Sequence, residues 1–147
     1  MKMRMPLCAL LLLAMSAAAA GETLEISDAW IREAPPGARV HAGYLQITNH
    51  GSEDAELTGV SGDDFGAVEI HRTVIEDGMA SMHIVPRLTI PSGGGVALEP
   101  GRYHLMLFRP SRELGAGATS RLLLLFSNDS CRAVTATVRR DSGDAHP

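Results

Sequence analysis

The chain has 147 residues, 45% of them hydrophobic and 20% charged, with a formal net charge of -4. That is one domain with room for a buried core, and it is too apolar to be disordered. Two cysteines exclude a disulfide-stapled scaffold, and the acidic balance lacks the basic stripe of a nucleic-acid binder.

Taken from the start, Met1-Lys2-Met3-Arg4 is basic, Leu7 to Ala20 is apolar, and Ala17-Ala18-Ala19-Ala20 supplies small residues before polar Gly21-Glu22-Thr23. This order predicts a secretory signal peptide over 1–20, cleaved after Ala20. The apolar run is shorter than the ~20 residues of a membrane-spanning helix, so no span is expected in the mature form. Cys8 lies inside that run, too early for a lipid-attachment cysteine. Removal of Lys2 and Arg4 leaves a more acidic mature chain without lysine and with Cys131 as its one thiol. That thiol is expected to be buried and inert.

Residues 21–140 read as a single all-β domain. Turn clusters recur at Pro35-Pro36-Gly37, Asn49-His50-Gly51-Ser52, Ser61-Gly62-Asp63-Asp64, Asp77-Gly78, Pro91-Ser92-Gly93-Gly94-Gly95, Pro100-Gly101 and Ser127-Asn128-Asp129. Between them, strands are predicted over Val40–Thr48, Glu56–Val60, Ala67–Val74, Ser81–Val85, Tyr103–Phe108, Arg121–Phe126 and Ala133–Val138. Turns at this spacing are characteristic of an antiparallel sandwich or barrel. In the first of these runs Gly43, Leu45 and Ile47 are expected on one face and His41 on the other. The unbroken run Leu122–Phe126 predicts a strand buried on both sides. The last segment, 141–147, is a polar tail.

The chemistry lies in the methionines. Met1, Met3, Met5 and Met15 belong to the leader, and Met79, Met82 and Met106 remain, each near a histidine. His104-Leu105-Met106 puts an imidazole and a thioether on one strand face. His71 ends another strand run, and the turn at Asp77-Gly78 folds Met82 back beside it. Two imidazoles and two thioethers can thus converge. Thioethers are soft and uncharged, and select Cu(I) over hard cations; zinc prefers thiolate, imidazole or carboxylate. A blue-copper centre needs a cysteine thiolate with histidines, and Cys131 has no histidine near it in sequence. The same residues also fit plain core packing, and spacing alone leaves both readings open.

The spacing His71, ten residues, Met82, twenty-one residues, then His104-Leu105-Met106 resembles the motif of the PCu(A)C family of periplasmic copper chaperones at all four positions. Asp28-Ala29-Trp30-Ile31-Arg32 with Pro35-Pro36-Gly37, Ala42-Gly43-Tyr44-Leu45, Val68-Glu69-Ile70-His71, and Pro100 to Leu107 resemble that family too. The resemblance spans about residues 24–138. It implies a cupredoxin-like antiparallel β-sandwich or barrel, and a monomeric, non-enzymatic periplasmic carrier. One Cu(I) per chain would be held near the surface by His71, Met82, His104 and Met106. It further implies delivery towards cytochrome c oxidase, with oxidase subunit II or a Sco-type thiol protein as recipient. Two other readings are a copper-sequestering protein for tolerance and, in a different class, an immunoglobulin-like interaction module without metal.

Departures from the family are Arg72 and Thr73, where some members carry an extra Met after the first His. The tail offers only His146, so no second copper site is expected there. Glu69 shares a strand face with His71 and is either an orienting acceptor for that imidazole or an ordinary surface carboxylate. Met79 and His83 flank the motif and are read as surface or packing residues before auxiliary ligands. His41 and His50 are read as strand and turn residues, and Trp30 as a packing anchor.

Overall fold

A computed structural model describes residues 23–140; the leader expected over 1–20 and the tail over 141–147 lie outside the described residues. Apolar and β-branched runs between Gly, Pro and Asp clusters form ten strands. These are β1 (Leu24–Arg32), β2 (Val40–Asn49), β3 (Ala55–Gly62), β4 (Phe65–Glu76), β5 (Met79–Ile84), β6 (Leu88–Ile90), β7 (Gly95–Leu98), β8 (Tyr103–Pro110), β9 (Thr119–Phe126) and β10 (Cys131–Arg139). There is no helix among the described residues. Each of the seven predicted runs falls on a strand; β1, β6 and β7 are additional.

The strands pair in the order β4-β8-β2-β1-β10-β9-β3, and Val60 of β3 pairs with Val68 of β4 to close the ring. Closure leaves those seven strands without a free edge along most of their length. The all-β, cupredoxin-like architecture expected from the sequence is therefore present, as a barrel. The pairing is not antiparallel throughout, however. β1 runs parallel to β10 through Trp30↔Thr137, Ile31↔Val138 and Arg32↔Arg139, and β7 meets β8 in parallel at Leu98↔Tyr103. β1 and β10 are the first and last strands, so no short connection constrains their relative direction.

Ile31, Leu45, Ile47, Leu57, Leu105, Leu107, Leu122, Leu124 and Val138 are fully buried inside the barrel. Each contributes about 1.5–3 kcal/mol of transfer free energy. Opposing side chains close tightly over Gly43, where an added Cβ would stand 2.9 Å from Leu107 Cδ1.

Three face expectations are corrected. His41 is buried on the same face as Gly43, Leu45 and Ile47, as the two-residue strand period requires. β9 is not buried on both sides: Leu122, Leu124 and Phe126 point inward while Leu125 is 43% exposed. A barrel strand has only one interior face, so Leu123 and Leu125 of this apolar run lie on the outer one. Cys131 is exposed, not buried, because it opens β10 beside the Ser127–Ser130 turn, where no second layer covers it.

At one end, Asp64 joins three segments. It accepts Nε and Nη2 of Arg112 at 2.9 and 3.1 Å and the Ser120 hydroxyl at 2.7 Å. Those hydrogen bonds, Arg112 foremost, hold its carboxyl below the usual carboxylate range. Trp30 packs on Tyr44 with ring centroids 4.6 Å apart and lies under the Arg139 guanidinium, the anchoring role read from the sequence.

Candidate metal centre

The candidate site is assembled by two registers. Asp77 and Gly78, at φ 51 and 74°, form the two-residue turn joining β4 to β5. Positive φ at both central positions is the primed hairpin geometry that Asp-Gly favours. That turn sets Glu76↔Met79, Thr73↔Met82 and His71↔Ile84. On the other edge of β4, the pairs are His71↔His104 and Glu69↔Met106. Residues opposite one another, or two apart along a strand, share a face. His71, Met82, His104 and Met106 therefore lie on one face of the β5-β4-β8 sheet, the face away from buried Ile70, Leu105 and Leu107.

The two imidazoles are neighbours, with ring centroids 5.8 Å apart and planes tilted by 49°. His104 is 4% exposed. Its Nδ1 donates to the Arg102 carbonyl at 3.0 Å. His71 Nε2 donates to Glu69 Oε2 at 2.7 Å, so Glu69 does orient this ring. In a neutral imidazole one nitrogen donates and the other carries a lone pair. The remaining nitrogens, His71 Nδ1 and His104 Nε2, are buried and have no hydrogen-bond partner among the described residues. An unsatisfied buried acceptor costs about 1–3 kcal/mol. Two such lone pairs on adjacent rings suit a cation acceptor.

The thioethers differ in setting. Met106 is partly buried on β8 beside Ala42 of β2. Met82 is 60% exposed on β5, a strand whose described pairing is with β4 alone and whose every residue is exposed. Met79 and His83 occupy the opposite face of β5 by the strand period, and His83 Nε2 sits 3.1 Å from the Ser81 hydroxyl. They are not brought to the candidate site. Nor is His50, whose Nε2 pairs with Glu25 at 2.9 Å.

Two neighbours were missed by sequence reasoning. Phe108 lies near His71, with ring centroids 6.5 Å apart and planes tilted by 51°. Ile84, 63% exposed, is the cross-strand partner of His71. The even spacing of His104, Met106 and Phe108 was the available signal for the first. No group of three or more His, Cys, Asp or Glu side chains is placed to hold a metal among the described residues.

Comparison with known proteins agrees with this architecture. Residues 24–138 match the family described as "Putative lipoprotein LpqE-like". The "Putative lipoprotein Lxx21020" of Leifsonia xyli subsp. xyli is 31% identical over 121 residues, covering 82% of this chain and 72% of that protein. Among solved structures, Cu(I)-DR1885 from Deinococcus radiodurans superposes with a TM-score of 0.66 at 29% identity, covering 86% of this chain and 85% of that one. The apo PCuAC domain from PmoF1 gives a TM-score of 0.68 at 20% identity, covering 80% and 94%, which establishes shared fold alone.

Proposed function

The chain belongs to the LpqE-like family, related to the PCuAC domains, and on that premise we propose that it is an extracytoplasmic Cu(I) carrier and not an enzyme. One Cu(I) per chain is bound as cargo by His71 Nδ1, His104 Nε2 and the sulfurs of Met82 and Met106. The observation that carries this reading is the pair of adjacent, buried, unpartnered imidazole nitrogens on the sheet face that also bears both methionines. The Cu(I) in the name of the Deinococcus relative supports the choice of ion. The leader-like start of the chain and the lipoprotein name of the Leifsonia relative support a location outside the cytoplasm, the periplasm in a two-membrane cell.

The donor chemistry fits that task. All four ligands are neutral, so the ion keeps its charge, and a soft monovalent ion is favoured over Mg²⁺ or Ca²⁺. No thiolate is required, which suits an oxidising compartment where exposed thiols form disulfides. Release needs an accessible bond to open first. Met82, on the exposed ribbon, supplies it, whereas His104 and Met106 sit in the barrel wall. A recipient offering thiolates then takes the ion by ligand exchange. Delivery towards cytochrome c oxidase, through its subunit II or a Sco-type thiol protein, is the route we assign.

The test is an anaerobic Cu(I) titration of the purified protein against a chromogenic chelator, beside a His104→Ala/Met106→Leu double variant. One tight equivalent, lost in the variant, is expected. Failure of the wild type to compete would remove the carrier reading. Transfer to a reduced dithiol protein, followed by the same chelator, separates delivery from storage.

A further inference from the structure

A second site lies at the far end of β8 from His104. Arg109 is five residues along the strand, roughly 17 Å at ~3.4 Å per residue. Here a cavity of ≈ 540 Å³ opens between the Ala34–Arg39 loop and the segment from Arg109 to Leu114. We propose that it binds a small organic anion, a carboxylate on an apolar body, with Arg39 and Arg109 holding the carboxylate.

The charge arrangement comes first. Arg87, Arg112, Arg139 and Arg140 each carry a carboxylate partner. Arg39 and Arg109 line the cavity and have none among the described residues. Their backbones are tied together, the Arg109 N–H donating to the Arg39 carbonyl at 2.9 Å. The one acid on the lining, Glu113, has an oxygen 3.3 Å from the Gly37 N–H, which donates to it. A guanidinium presents a donor fork that matches a carboxylate.

Backbone and burial point the same way. Arg109 has φ 53°, a left-handed conformation costing about 1–2 kcal/mol for a residue with a Cβ. Such strain clusters at ligand sites. Its side chain lies over Gly66, where an added Cβ would come within 2.7 Å of Arg109 Nε. The bare glycine lets this side chain lie close along the β4 backbone. His41 is 6% exposed, and its ring lines the cavity. Its Nδ1 donates to the Arg32 carbonyl at 3.4 Å.

The rest of the wall selects the body of the ligand. Pro35, Pro110 and buried Leu114 are apolar. They offer nothing to a hydrated inorganic ion but cover the hydrocarbon of an organic acid. The volume lies within the range of small-molecule pockets.

The test is a ¹⁵N–¹H NMR titration of the protein with benzoate, benzyl alcohol and inorganic phosphate. Saturable shifts at Arg39, His41, Arg109 and Leu114 are expected with benzoate, and none with the other two at the same concentrations. In an Arg39→Gln/Arg109→Gln variant benzoate should bind at least tenfold more weakly, with Leu105 and Leu107 resonances unmoved. If that variant loses spectral dispersion, Arg39→Gln alone is read, with about threefold weakening expected. Absence of saturable benzoate shifts, or unchanged affinity in the folded variant, overturns the proposal. Equal saturation by phosphate overturns the organic-anion assignment by showing that charge alone is read.

Discussion

His71 and His104 are direct cross-strand partners, 5.8 Å between ring centroids, and they donate through different nitrogens. His71 gives its Nε2 proton to Glu69, and His104 gives its Nδ1 proton to the Arg102 backbone. The tautomers follow from those acceptors. A carbonyl or carboxylate can only accept, so the opposite nitrogen of each ring carries the lone pair. The nitrogens left without a partner are therefore unlike, Nδ1 of one ring and Nε2 of the other.

Replacing the sulfurs separates ligation from packing. Met106→Leu and Met82→Leu conserve volume, so each should cost less than about 1.5 kcal/mol of stability. Each should weaken Cu(I) binding by at least about tenfold, taking the effect of a lost neighbour of a ligand as the lower bound. Chelator competition measures the affinity and urea unfolding the stability. An unaltered affinity in Met82→Leu would take the β5 ribbon out of the site.

Glu69→Gln keeps an acceptor for the His71 N–H but removes the negative charge behind it. The expected loss in Cu(I) affinity is about tenfold, with little change in thermal midpoint because Glu69 is 41% exposed. ¹⁵N chemical shifts of the metal-free wild type should show His71 protonated at Nε2 and His104 at Nδ1. The same tautomer on both rings would contradict the hydrogen-bond pattern described above.

Asp64 makes the fold sensitive to acid. Its carboxyl is held below the ordinary value by Arg112, then by Ser120. A folded-state value below the unfolded one stabilises the protein above the unfolded pKa of about 3.9, and that contribution is lost as pH falls through the folded value. Asp64→Asn should therefore cost about 1 kcal/mol at neutral pH, the scale of a partly exposed hydrogen-bonded pair, and less at pH 3. Urea unfolding at both pH values checks this; an equal cost at both would mean the charge is irrelevant.

Gly43→Ala tests how tightly the barrel is filled. The new Cβ would stand 2.9 Å from Leu107 Cδ1 and 3.4 Å from Leu105 Cβ. Overpacking of this kind costs about 1–3 kcal/mol, read as a lower denaturant midpoint at unchanged slope. A neutral substitution would indicate that Leu107 has a free alternative rotamer.

The sequence by itself determined what depends on local chemistry. Turn clusters between short apolar runs required an all-β chain, because Gly, Pro and Asp interrupt it too often for any helix to pack. Asp77-Gly78 specified the hairpin that sets Met82 opposite Thr73, since few other dipeptides accept positive φ twice in succession. The donor types favoured a soft cation while leaving core packing open, and strand period two put His104 beside Met106. Tertiary structure alone decided what depends on distant partners. A run such as Leu122–Phe126 fits a strand buried on one face or two; barrel closure chose one, leaving Leu125 in solvent. The parallel docking of β1 on β10 joins the two ends of the chain, which no local pattern encodes. Only the pairing of β4 with β8 brings His71 and His104 to one face, and only their bonds to Glu69 and Arg102 leave one nitrogen of each buried and unpartnered. Arg39 and Arg109 likewise become neighbours only when β2 and β8 pair. Burial and non-local register are properties of the closed sheet, and no window of sequence contains them.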